Sequence, residues 1–155
     1  MLNKNVEVFM DCDTGWHFAS TVLFGAHYDS TTSYRPGTRL GSSAIRRESY
    51  GIESYSPYQD RDLLDGDVVD VGDLELCFGD SRAALDAITE QTRLILASHK
   101  RPFMLGGEHL VTLGAFRAVA EKFPDVHVIH FDAHADLRED YLGVSLSHAC
   151  VLRRC

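Results

Sequence analysis

The chain has 155 residues, 45% hydrophobic and 25% charged, and 15 Lys and Arg against 23 Asp and Glu leave it at −8. This is the balance of a folded soluble domain with chain enough for a core, which excludes a largely disordered protein. The surplus of negative charge argues against nucleic acid or anionic lipid as a partner.

No run approaches the roughly 18 apolar residues of a membrane span, and residues 1–7 lack the apolar stretch of a signal peptide. Residues 21–24 (T-V-L-F) read as a buried strand stopped by Gly25. A polar segment over 30–41 carries the Pro36-Gly37 turn signal, and Ser42 or Ser43 caps a short helix to about Tyr50. Residues 51–67 read as loop and 68–71 as a second strand. Leu85, Ile88, Thr92, Ile95 and Leu96 recur at helical spacing, predicting a helix over 81–99 capped by Ser81. Residues 102–105 form the next strand, 110–123 the next helix, and 126–131 (V-H-V-I-H-F) a further strand. No internal repeat or linker marks a domain boundary. The β-α-β-α-β order predicts an α/β domain: a mainly parallel sheet with helices on both faces, and ligands beyond the carboxyl ends of the strands.

Two polar clusters fall at that edge, Gly106-Gly107-Glu108-His109 and Asp132-Ala133-His134-Ala135-Asp136. Asp132, His134 and Asp136, spaced i, i+2, i+4, project to one side of an extended chain, and carboxylate with imidazole suits Mn, Fe or Zn. On an ideal strand the outer two lie about 13 Å apart, too far for one ion. Either the chain curls after His134 or the three residues serve more than one metal. A bridging carboxylate between ions about 3.5–4 Å apart would satisfy both constraints. His109 is the natural fourth ligand, and the glycines before it permit a tight strand-to-helix turn. Glu108 is expected to point away. His17, His27, His99, His127 and His130 lack ligand-like company. Asp60, Asp62, Asp65, Asp67, Asp70 and Asp73 lack the spacing of a calcium loop and read as a solvated acidic surface. His148, a short loop beyond Asp136, reads as a neighbour of the metal site. Cys12, Cys77, Cys150 and Cys155 form no Cys-x-x-Cys pair and read as reduced thiols of a cytoplasmic protein.

Gly-Gly-Glu-His (106–109), Phe-Asp-Ala-His-Ala-Asp-Leu-Arg (131–138), Ser-His-Ala-Cys-Val-Leu-Arg-Arg (147–154) and the segment Tyr28 to Arg39, followed by Ala44-Ile45-Arg46, together resemble the ureohydrolase (arginase and agmatinase) family. Thr31-Thr32-Ser33-Tyr34-Arg35-Pro36-Gly37 is similar to its agmatinase branch more than to arginase proper. The resemblance implies a three-layer α/β/α fold and two Mn2+ ions, with His109, Asp132, His134 and Asp136 as ligands. It also implies hydrolysis of a small guanidino substrate to urea and an amine. Asp136 would orient the attacking hydroxide, and His148 would move protons. Agmatine, giving putrescine for polyamine biosynthesis, is the expected substrate; arginine and guanidinobutyrate are alternatives, as is a non-catalytic metal-binding module. Trimers or hexamers are the implied assembly. His27 stands where the family usually has proline. The family pattern continues past residue 155 into a Ser-x-Asp-x-Asp string that completes the metal shell. The 155 residues therefore read as the amino-terminal part of one domain, truncated at the carboxyl side. Alone it is expected to be weakly active or inactive and prone to aggregate.

Overall fold

The computed structural model describes residues 7–155 together with the backbone of residues 2–3. Among the described residues its main sheet has four strands: β1 (Leu2–Asn3), β2 (Thr21–Ala26), β5 (Val68–Leu74) and β6 (Arg101–Gly106), in the order β1-β5-β2-β6. β2 runs parallel to both β5 and β6, while β1 is antiparallel at the edge. β2 is central and reads as a continuous apolar run because both of its faces are covered.

Helices α2 (Ser81–Ala97) and α3 (Val111–Lys122) cover one face, where Val22, Phe24 and Ala26 meet Leu85, Ile88, Ile95, Leu110 and Leu113 in the core. The opposite face carries α1 (Gly41–Ser49), whose Ser42 Cβ lies 3.1 Å from where a Cβ on Gly25 would stand. Helices thus flank a mainly parallel sheet, as the strand-helix alternation predicts. The α2 cap is Asp80 rather than Ser81: its Oδ1 accepts from the Arg82 and Ala83 amides, and an acceptor one residue earlier reaches the first free N–H groups. α1, whose cap position is Leu40, has no side-chain cap among the described residues. Residues 51–67 contain a small hairpin, β3 (Tyr55–Ser56) with β4 (Arg61–Asp62).

Two further expectations fail. Residues 126–131 are not a strand. Among the described residues, the amides of 127–131 make no backbone hydrogen bond, and Ile129 and Phe131 are exposed. Alternating apolar residues favour an extended chain, but a strand also needs a partner ladder. Asp70 and Asp73 are not a solvated surface. Arg46, fully buried, gives Nε (2.7 Å) and Nη2 (2.9 Å) to Asp70 and Nη1 (2.6 Å) to Asp73. Residues three apart on a regular strand face opposite ways. Here the β2–β5 register shifts and Gly72 takes φ +88°, a bulge that turns both carboxylates towards α1.

Candidate metal centre

The adjacent parallel strands β2 and β6 end side by side, and the loops leaving them lie together. After β6 the chain folds tightly onto the β2 exit. Gly107 N donates to Ala26 O at 2.9 Å and Glu108 N to Tyr28 O at 2.8 Å. A Cβ on Gly107 would stand 2.1 Å from Tyr28 O and 2.7 Å from Tyr28 N, so only glycine allows this backbone-on-backbone approach. Gly106 is less constrained: its Cβ would meet only Val111 Cγ2, at 3.4 Å. His109 follows, one residue before the Leu110 cap position and two before α3 begins.

The second cluster lies on a curled segment. The chain bends at Ala133 and His134, and Asp136 adopts φ +49°. The curl is pinned from behind: Asp136 O accepts from Leu152 N (3.1 Å) and Arg153 N (3.3 Å) of α4 (Val151–Arg154), and Arg138 N donates to Ala149 O (3.2 Å). The 147–154 segment is thus the anchor that shapes the 132–136 loop. The chain therefore curls after His134, which removes the wide separation that a straight strand would impose on Asp132 and Asp136.

Ligand atoms of His109, His130, Asp132 and Asp136 lie within 4.8 Å of one another. His109 Nδ1 sits 2.6 Å from Asp136 Oδ2 and 3.6 Å from Asp132 Oδ2. His130 Nε2 is 3.5 Å from the same Asp132 oxygen, and its ring lies 5.2 Å from that of His109. Asp132 has a second side: its Oδ1 accepts from the His134 amide at 2.8 Å and lies 3.2 Å from His134 Nδ1. The His134 amide draws the Asp132 carboxyl below its ordinary pKa; this outweighs desolvation, and the His134 ring and the charges of His109 and His130 add to it. Two carboxylates and two imidazoles converge, and His130 Nε2 is buried without a hydrogen-bond partner among the described residues. Oxygen and imidazole donors gathered at this separation fit a borderline-to-hard divalent cation.

The centre opens into a cleft of about 740 Å³, also lined by Ser33, Tyr141 and His148. His148 Nδ1 faces Thr31 Oγ1 at 3.4 Å, and Tyr141 meets the ring edge-on at 5.4 Å. Glu108 is 2% exposed and turned away from the cluster, as expected for alternate residues of that turn. Its carboxylate is not idle: Oε2 accepts from the amides of Ser30 and Thr31, both at 2.7 Å, and Oε1 accepts from the Thr31 hydroxyl.

The structure therefore gathers His109, Asp132 and Asp136. His134 stays outside that group, 81% exposed, joined to it through the far oxygen of Asp132. His130, set aside at the sequence level, is inside. The signal was present: it stands two residues before Asp132, so the alternation that places Asp132 and His134 on one side places His130 there too. His27 leaves β2 half-buried with Nδ1 unpartnered among the described residues. No described helix is long and apolar enough to cross a membrane.

The arginase-family model matches residues 19–155. The chain is 47% identical to the agmatinase of Bacillus subtilis (strain 168) over 148 residues, covering 96% of this chain and 51% of that protein. The crystal structure of the agmatine ureohydrolase of Thermoplasma volcanium superposes with a TM-score of 0.88 at 36% identity, over 97% of this chain and 50% of that one. The proclavaminate amidino hydrolase of Streptomyces clavuligerus gives 0.85 at 33% identity, over 96% of this chain and 50% of that one. The chain thus spans about half the length of the relatives it matches.

Proposed function

Because the chain belongs to the arginase family, we propose that it carries the metal-binding part of a hydrolase that cleaves guanidino carbon–nitrogen bonds, with agmatine as substrate and urea and putrescine as products. The observation that supports this most is the convergence of His109, Asp132 and Asp136 in one cleft with His148. The agmatinase and agmatine ureohydrolase relatives favour agmatine, and the proclavaminate relative marks the same fold as a host for other guanidino compounds.

His109, Asp132, His134 and Asp136 would hold two Mn2+ ions; one Asp132 oxygen faces His109 and the other faces His134. A bound pair of divalent cations supplies the positive charge that lets water ionise near neutral pH. His130 Nε2, 3.5 Å from Asp132 Oδ2, lies beside that carboxylate and would favour its charged form when protonated. Asp136, whose side chain is 11% exposed, accepts a hydrogen bond from the attacking water and aims it at the guanidinium carbon. His148 carries a proton to the departing amine nitrogen, so that the amine leaves neutral and the carbon is released as urea. The same reading takes the assembly as a trimer or hexamer and the setting as cytoplasmic.

Urea release is the test, measured with Mn2+ and agmatine, arginine or guanidinobutyrate. The 155 residues are assayed alone and co-expressed with the remaining half of the Bacillus subtilis relative. The complemented protein should release urea, fastest from agmatine, and lose that activity in Asp132→Asn. No urea from any of the three substrates, in a complemented protein that binds manganese, would refute the hydrolase reading. Enzyme-like rates from the chain alone would refute the expectation that it is weak by itself.

A further inference from the structure

We propose that Glu108 and Thr31 act as positioning residues that hold His148 as its Nδ1–H tautomer, leaving the Nε2 lone pair for the cleft. The argument is an accounting of protons. Glu108 is almost fully buried, with two amide donors on Oε2 and the Thr31 hydroxyl on Oε1. A carboxylate only accepts, so the single proton of the Thr31 hydroxyl is committed to it. What Thr31 Oγ1 offers elsewhere is its lone pairs. Two groups of His148 face them, the backbone amide at 3.1 Å and ring Nδ1 at 3.4 Å. The amide can only donate. A ring nitrogen facing an oxygen with no proton to give must carry its own. The hydrogen bond at one imidazole nitrogen decides the state of the other.

A free neutral imidazole prefers its proton on Nε2, so the opposite tautomer needs a cause, and this network supplies one. Tyr141, edge-on to the ring at 77°, holds its plane. His148 lines the cleft, so the basic nitrogen lies on the side away from Thr31. It is then able to take up a proton at Nε2 and pass that same proton to the departing amine. The proton's destination rests on the hydrolase reading above, whereas the tautomer does not. Glu108 and Thr31 come from the turns that leave adjacent strands β6 and β2. The close approach that places His109 therefore also sets His148.

The test is a long-range 1H–15N spectrum of the uniformly labelled chain, which separates the two neutral tautomers. It is recorded with chelator, because manganese would broaden the signals, and at about pH 8, above the ordinary histidine pKa. His148→Gln identifies the signal among the eight histidines. The wild type should show Nδ1–H. Thr31→Val removes the acceptor and should return His148 to Nε2–H, and Thr31→Ser should restore Nδ1–H. Glu108→Gln is the sharper variant and nearly isosteric. Its amide oxygen must stay on the Ser30 and Thr31 amides, so its NH2 donates to Thr31 Oγ1. The Thr31 proton is then freed towards His148 Nδ1, and the tautomer should invert. An Nε2–H signal in the wild type would overturn the proposal. So would Nδ1–H persisting in Glu108→Gln while the other histidine signals stay in place. If Thr31→Val disturbs those signals, Glu108→Gln and Thr31→Ser decide. Neither metal nor substrate enters this readout, so its failure and a failure to release urea are distinguishable.

Discussion

Gly107→Ala is the perturbation that most directly probes how the centre is built. The added Cβ would stand 2.1 Å from Tyr28 O, 2.7 Å from Tyr28 N and 3.0 Å from Ala26 O. All three are backbone atoms, so no side chain can rotate out of the way. Restoring ordinary contact at 3.4 Å requires the two turns to part by about 1.3 Å. The hydrogen bonds Gly107 N to Ala26 O and Glu108 N to Tyr28 O, now 2.9 and 2.8 Å, would then be stretched beyond use. Each is worth about 1 kcal/mol. Overpacking adds about 1–3 kcal/mol, so the loss should reach about 3–5 kcal/mol. Gly106→Ala is the control: its Cβ meets only a side-chain methyl at 3.4 Å, and it should cost less than about 1 kcal/mol. Urea unfolding followed by circular dichroism gives both values. Manganese affinity by calorimetry adds a second readout, because the same displacement moves His109 from Asp132 and Asp136. Equal stability of the two variants would refute the close-approach argument.

Replacing Arg46 by Met leaves the fully buried Asp70 carboxylate without its cation, and stability should fall by about 3–5 kcal/mol; a fall below about 1 kcal/mol in denaturant titration would contradict the pairing. Desolvation pushes the Asp29 pKa up, but hydrogen bonds from the Gly37 amide, Thr32, the Arg39 amide and Thr38 outweigh it and hold the carboxyl below its ordinary value. Its contribution is therefore present in full above the unfolded value of about 3.9 and lost as pH falls through the lower folded value. The stability gap between wild type and Asp29→Asn should close below about pH 4, and a gap constant from neutral pH into acid would rule this out. Burial, then the charges of Asp70, Asp11 and Asp13, raise the Cys12 thiol to about 11. Mass spectrometry after brief alkylation at pH 8 should find exposed Cys77 modified and Cys12 and Cys150 only after unfolding; Cys12 labelled as fast as Cys77 would count against its burial.

The strand-helix alternation as far as α3, the turn glycines and the grouping of His109 with Asp132 and Asp136 were readable from the chain itself. They rest on local rules: periodicity, caps, and the alternation of side chains along extended backbone. The two-residue spacing that singled out Asp132 and His134 applied equally to His130, whose burial could not be read from spacing. What only the folded molecule decided depends on contacts between distant segments. The bulge at Gly72 brings Asp70 and Asp73 onto one face and turns an apparent acidic surface into the counter-charge of Arg46. The curl at Asp136 is held by amides sixteen and seventeen residues on, at Leu152 and Arg153, and closes a span that a straight strand would leave open. Residues 126–131 carry the pattern of a strand without being one, because a ladder belongs to two segments and a sequence window contains only one of them.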